Sequence, residues 1–160
     1  MVPEKKGWFS NMQDGFVAAK EFEEKVIEIK RVSKKTRGGN SIHFTALVVV
    51  GNKQGKVGLG LGAAMDVAES VRKAIEKAKA NLISIKLHEG TISHEVMAKY
   101  KAAEVLLKPA PEGSGIIAGG AVRSVVELVG IKDVSSKMLG SSNKQCNVVC
   151  TIDALKKLKE

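Results

Sequence analysis

Between residues 30 and 62 the chain carries seven basic side chains, Lys30, Arg31, Lys34, Lys35, Arg37, Lys53 and Lys56, and no Asp or Glu. Cations at that density hold phosphates, because each contact releases a counterion condensed on a nucleic-acid backbone. Most of them fall in KRVSKKTRGGN, which reads as a flexible basic loop from Arg31 to Asn40. Gly38 and Gly39 permit a sharp return of the chain there, and a close approach of backbone to RNA. A second basic surface is expected on a helix, where Arg72, Lys73, Lys77 and Lys79 are opposed only by Glu69 and Glu76. Beside the loop, that face extends the same footprint. The chemistry these residues point to is RNA binding.

Other chemistries lack their parts. The segment GLGLG spaces Gly58, Gly60 and Gly62 by two, which is not the GxGxxG of dinucleotide binding, and EGSGIIAGGA has no Gly-Lys-Ser/Thr ending. A nucleotide-using phosphotransferase is the alternative these glycines invite. It would need a base or metal-binding carboxylate, and Glu112, Glu127 and Asp133 show no evident partners in the sequence. Cys146 and Cys150 cannot complete a tetrahedral zinc site alone, and His43, His88 and His94 show no ligand spacing. No metal or cofactor is expected. Two cysteines do not make a secreted disulfide framework, so a reducing cytoplasm is expected. No apolar run reaches the 18 residues of a membrane span, and a helix with Val and Ala as its apolar side anchors poorly to a lipid surface.

The net charge of +9 and pI near 9.6 agree with a polyanionic partner. Residues 1–29 hold four Lys against six acids, so the positive excess belongs to residues 30–160. Of six aromatics, Trp8, Phe9, Phe16 and Phe22 precede the loop, and Phe44 and Tyr100 come after it. Base stacking on a sheet needs exposed aromatics. RNA would therefore be held by shape and phosphates.

The elements that must position these groups emerge from periodicity. Residues 1–20 read as a mobile arm. EFEEKVIEIKRV reads as a strand entering the basic loop. Ile42, Phe44, Ala46, Val48 and Val50 then share one face of a strand, and Val57, Leu59 and Leu61 one face of the next, with Gly58, Gly60 and Gly62 leaving its other face bare. Asp66 and Glu69 fit a capping box, with Val67, Val71, Ala74, Ala78 and Leu82 covering the sheet. Ile83, Ile85 and Leu87 are expected to begin a second unit. Further strands are expected within ISHEVMAKYK, at Glu104–Lys108 and at Ile131–Val134, a helix from Val122 to Gly130, and a last helix on Val148, Val149, Ile152, Leu155 and Leu158.

RVSKKTRGGNSIHFTALVVVG (31–51), GKVGLGLG (55–62), PEGSGIIAGGAVRSVVELVGIKDV (111–134), KMLGSSN (137–143) and TIDAL (151–155) together resemble the small-subunit ribosomal protein five family, ribosomal protein S-five of bacterial or organellar type. The resemblance implies an α+β fold of two small α/β domains: an arm (1–20), a double-stranded-RNA-binding-like domain (21–82) and a C-terminal βαβ domain (83–160). It implies a structural constituent of the small ribosomal subunit that is not an enzyme, binds small-subunit rRNA, contributes to assembly and decoding accuracy, and lies near the mRNA entry channel beside small-subunit proteins four and eight. The family's basic loop reaches RNA near the spectinomycin site, which carries Ser33, Lys34, Lys35, Thr36, Arg37, Gly38 and Gly39 into the expected contact set. The family's interface with protein four corresponds to Gly115 and Arg123. Departures fall at Asn40, Ala63, Ala68 and Lys144, where the family usually has a basic residue, Lys, Pro and Pro.

Overall fold

The computed structural model describes residues 22–85 and 90–158, so the expected arm at 1–20, with Trp8 and Phe9, and the turn at His88 and Glu89 lie outside the described residues. Strand β1 (Glu23–Thr36) pairs antiparallel with β2 (Gly39–Gly51), β2 with β3 (Lys56–Ala64), and β3 with β4 (Leu82–Ser84), giving one sheet in the order β1-β2-β3-β4. The basic segment expected as a flexible loop is instead the end of the β1–β2 hairpin. Pairing continues through Lys34↔Ser41, Lys35↔Asn40 and Thr36↔Gly39, so only Arg37 and Gly38 make the turn. The β-branched residues Val32 and Thr36 suit a strand. The left-handed φ of +135° falls on Gly39, and Thr36 Oγ1 donates to Gly39 O at 2.8 Å. The density of charge had masked this pattern.

Helix α1 (Val67–Ala80) lies on the glycine side of β3. Asp66 caps it, accepting from Val67 N at 2.8 Å, while Glu69 faces Lys73 rather than closing a capping box. The buried residues of α1 are Ser70, Ala74 and Ala78. Val67 and Val71 are only half-buried, and Leu82 leaves the helix for β4, contrary to the expected apolar stripe. The cause is contact between backbones. A Cβ on Gly58, Gly60 or Gly62 would fall on the carbonyl oxygens of Ala78, Ala74 and Ser70 respectively. Larger residues along this seam would hold the helix off the sheet.

The second sheet has the order β5-β6-β8-β7, from β5 (Val96–Tyr100), β6 (Ala103–Pro109), β7 (Ile116–Ile117) and β8 (Val134–Met138). Strands β7 and β8 are parallel and joined by α2 (Gly120–Val129), which is the expected βαβ unit. The strand expected at Ile131–Val134 begins only at Val134. Before it, Lys132 N and Asp133 N both donate to Gly90 O. Helix α3 (Lys144–Lys156) is capped by Asn143 and buries Val148, Ile152 and Leu155 as expected, whereas Val149 is only half-buried and Leu158 lies beyond the helix end. The strand expected to open the second unit near Ile83 is β4, which completes the first sheet through Val57↔Ile83.

The two sheets share one core. Strand β2 is covered on both faces: Ala46, Val48 and Val50 pack with α1, while Leu47 and Val49 join Val57 and the valines of α2. The β2–β3 turn also caps α2. Lys53 N donates to Leu128 O and Gly55 N to Val129 O, both at 2.9 Å, satisfying carbonyls that a helix end otherwise leaves open.

Gly60→Ala is expected to destabilise the protein by at least about 3 kcal/mol in urea unfolding, because only movement of α1 relieves the overlap. Gly38→Ala, which meets open space, is expected to stay within about 0.5 kcal/mol.

Candidate nucleic-acid interface

Beyond Phe44↔Ala64, the last pair between β2 and β3, the β1–β2 hairpin continues alone from Val32↔His43 to Thr36↔Gly39. At about 3.3 Å per residue this is a two-stranded ribbon about 17 Å long standing off the sheet. Directly opposed residues share a face. Arg31, Ser33 and Lys35 share the α1 side with Phe44, Ile42 and Asn40. Lys34 shares the other side with Ser41, next to Val32 and His43, and Arg37 stands in the turn. Cations therefore occupy both faces and the tip. A third strand would have covered one edge and restricted what approaches.

The expected contact residues fall into distinct groups. Arg31, Lys34, Lys35 and Arg37 are exposed and make no ion pair among the described residues. Lys30, at the ribbon's base, is 3.2 Å from Glu28. Thr36 is engaged with Gly39, whereas Ser33 is exposed and makes no side-chain bond among the described residues. Lys53 and Lys56 lie at the opposite end of the sheet, about 40 Å along β2 from the turn at 3.3 Å per residue. Lys53 is bound to Glu23 at 2.5 Å and its backbone caps α2, while Lys56 makes no ion pair among the described residues. On α1, Lys73 is 3.8 Å from Glu69 and Lys77 donates to Leu61 O at 3.2 Å, leaving Arg72 without an ion pair among the described residues. Ser70 lies over Gly62 and Ala78 over Gly58, so the first turns of α1 face the ribbon end. Asn40, which the sequence marked only as a departure from the family pattern, and Ser41 and His43, which it did not single out as contacts, stand across from Lys35, Lys34 and Val32, with Ser41 Oγ 3.1 Å from His43 Nε2. Hairpin register from a two-residue Arg-Gly turn was the signal for them.

Phe44, the hairpin's one aromatic, faces the α1 side and is half-buried, so the ribbon offers no stacking platform.

In the second domain, Gly115 takes a φ of +69° and donates its N–H to Asp133 Oδ1 at 2.8 Å. Arg123 donates through Nε to Glu127 at 2.8 Å, and Glu127 also holds Lys25 of β1 at 2.6 Å. Glu127 and Asp133, which had no evident partner in the sequence, are thus structural. The Lys25 hydrogen bond, reinforced by that of Arg123, holds the Glu127 carboxyl below its usual range. Cys150 donates to Ala98 O at 3.1 Å from a buried position, and burial pushes its thiol pKa up. Among the described residues no group of three or more His, Cys, Asp or Glu gathers as a metal site would require.

Because the folded pKa of Glu127 is lowered, its contribution to stability is complete above the ordinary value of about 4.5 and disappears as pH falls through the lower folded value. Glu127→Gln is expected to cost about 1 kcal/mol at pH 7, with the difference from the parent vanishing in acid unfolding below that range.

A family model described as ribosomal protein S5, N-terminal domain, matches residues 22–86, and one described as ribosomal protein S5, C-terminal domain, matches residues 98–160. Small ribosomal subunit protein uS5 of Thermotoga neapolitana is 54% identical over 138 residues, covering 86% of this chain and 78% of that protein. Its counterpart in Thermotoga maritima is 53% identical over the same shares. The protein of the same name from Campylobacter jejuni is 50% identical over 139 residues, covering 87% of this chain and 95% of that protein.

Proposed function

The chain belongs to the ribosomal protein S5 family, and on that premise we propose that its β1–β2 ribbon grips folded small-subunit rRNA through phosphate contacts. It is a structural constituent of the small ribosomal subunit and not an enzyme. The observation that carries the ribbon's role is the group Arg31, Lys34, Lys35 and Arg37, exposed on both faces and the tip of a protruding hairpin and free of ion pairs among the described residues. Unpaired cations release counterions on contact with phosphate without first losing a protein partner. With no exposed aromatic on the ribbon, selection acts through the shape of an RNA junction. Ser33, Gly38, Gly39 and the backbone amides near the turn complete the contact.

Lys56 and Arg72 are secondary phosphate contacts. Lys30, Lys53, Lys73 and Lys77 contribute less per residue, since each must first leave Glu28, Glu23, Glu69 or the Leu61 carbonyl. Gly115 and Arg123 form the face toward a neighbouring small-subunit protein. Proteins four and eight are the neighbours this reading favours, with the mRNA entry region nearby. Arg123 can meet a partner's acid while Nε stays on Glu127, because its terminal nitrogens make no bond among the described residues. The first domain starts near residue 21. Its end is best drawn just after β4, since that strand pairs with β3. The cytoplasm is the compartment, in keeping with two free thiols.

Binding of the chain to folded small-subunit rRNA across a salt series tests this. Replacing Lys34, Lys35 and Arg37 together by Ala is expected to lower the log–log salt slope by about 2 to 3, at roughly 0.7 to 0.9 per lost contact. An unchanged slope with intact affinity would move the contact to α1 and the second domain.

A further inference from the structure

His43 stands on the ribbon among the cations of the proposed RNA contact. It lies opposite Val32 of β1, on the face it shares with Ser41 and Lys34. Lys34 and Lys30 take the diagonal positions on either side of Val32, about 7 to 8 Å away across the strands. The ring is half-buried, just beyond the last pair between β2 and β3. Ser41 Oγ, two residues along the same strand, lies 3.1 Å from Nε2 and holds the ring on this face. That hydroxyl suits both charge states of the ring: it donates to Nε2 in one neutral tautomer and accepts from the Nε2–H of the imidazolium. Nδ1 makes no bond among the described residues.

The acids nearby are committed elsewhere. On the same face the first is Glu28, four residues down β1 from Val32, and it is held by Lys30 at 3.2 Å and by Lys144 of α3 at 3.6 Å. Asp66, just past the end of β3, caps α1, and Glu69 in the first turn of that helix lies 3.8 Å from Lys73. No carboxylate pairs with His43 among the described residues.

Histidine is the side chain whose charge changes between pH 5 and 8. A phosphate bridging Lys34 and His43 places an anion against the ring and favours its charged form. By linkage, protonation then favours the bound RNA to the same degree. We propose that His43 is a proton-gated phosphate contact: when the ribbon binds RNA, one proton from solvent is taken up on the ring, and the imidazolium donates from Nδ1 to a phosphate oxygen beside Lys34. The proton returns to solvent when the RNA leaves. This rests on the reading of the ribbon as the RNA contact. It adds to the permanent charges of Arg31, Lys34, Lys35 and Arg37 a fifth that pH controls, so the grip tightens as pH falls.

Binding of the full chain to folded small-subunit rRNA, across a salt series at about pH 5.5 and about pH 8, tests this. Protonation of the RNA itself is common to all variants, so the parent is read against His43→Gln. From the higher pH to the lower, the parent is expected to gain about tenfold more affinity than His43→Gln does, the effect of one unit of difference in proton affinity between free and bound states. The parent's log–log salt slope is expected to be steeper at the lower pH by roughly 0.7 to 0.9, an increment of one contact that the Gln variant lacks. His43→Arg, permanently charged, should bind more tightly than the parent at the higher pH and match it at the lower. His94→Gln, in the second domain, should keep the parent's pH dependence. Equal pH dependence in the parent and His43→Gln overturns the proposal, as does its loss in His94→Gln. If the Lys34, Lys35 and Arg37 variant still lowers the salt slope, the ribbon reading stands and the role of His43 alone falls. An unchanged slope in that variant overturns both.

Discussion

Helix α1 rests on β3 with no side chain between them, and the rest of the first domain takes its position from that contact. Gly58, Gly60 and Gly62 face the carbonyls of Ala78, Ala74 and Ser70. The pairing brings the helix axis closer to the sheet than any Cβ-bearing seam allows. That closeness lets the short side chains Ala46, Val48 and Val50 of the neighbouring strand fill the remaining space beneath α1. It also turns Val57 and Leu59 to the opposite face, where they meet the second domain. A sheet clamped on both faces is stiff. Stiffness matters because β2 runs on without interruption from this clamp into the ribbon.

Charge is arranged along β1 in two halves. Over the body of the protein, Glu23, Glu24 and Glu28 meet Lys53, Lys79 and Lys144, and Lys25 meets Glu127. In the ribbon the same strand carries Arg31, Lys34 and Lys35 without ion pairs among the described residues. Exposed ion pairs contribute little each, about 0 to 1 kcal/mol, so the two that cross between the domains, Lys25–Glu127 and Glu28–Lys144, orient them while the shared core holds them together. The second half keeps its cations for a partner. One strand thus links the interdomain contacts to the proposed RNA contact through continuous backbone pairing.

The joint between the domains depends on two glycines as well. A Cβ at Gly51 would fall on the Leu128 carbonyl, and one at Gly130 on that of Lys53, which has a left-handed φ of +55°. The β2–β3 turn can then reach the last carbonyls of α2 and cap them. A hairpin turn rich in Lys and Gly looks like a surface for an anion. Here its backbone is committed to a neighbouring helix, which changes what its side chains are free to do.

What the sequence determined by itself was whatever depends on neighbours along the chain. The alternation of Ala46, Val48 and Val50, the bare face of Gly58, Gly60 and Gly62, the cap at Asp66 and the burial of Val148, Ile152 and Leu155 in α3 depend on local pattern, and each reappears in the structure. The motifs of both halves also sufficed to identify the family. Only the tertiary structure decided which strands pair, and with that the shape of the site. Residues 31–40 read as a loop because their charge obscures alternation, and pairing with β2 is what makes them a ribbon. Leu82–Ser84 joins the first sheet because β3 has a free edge there, which no local pattern reveals. The partners of Glu127 and the second role of Lys53 come from residues far away in sequence. Periodicity reports which side of an element is buried; it carries no information on what covers that side, and the covering sets the positions of the unpaired cations.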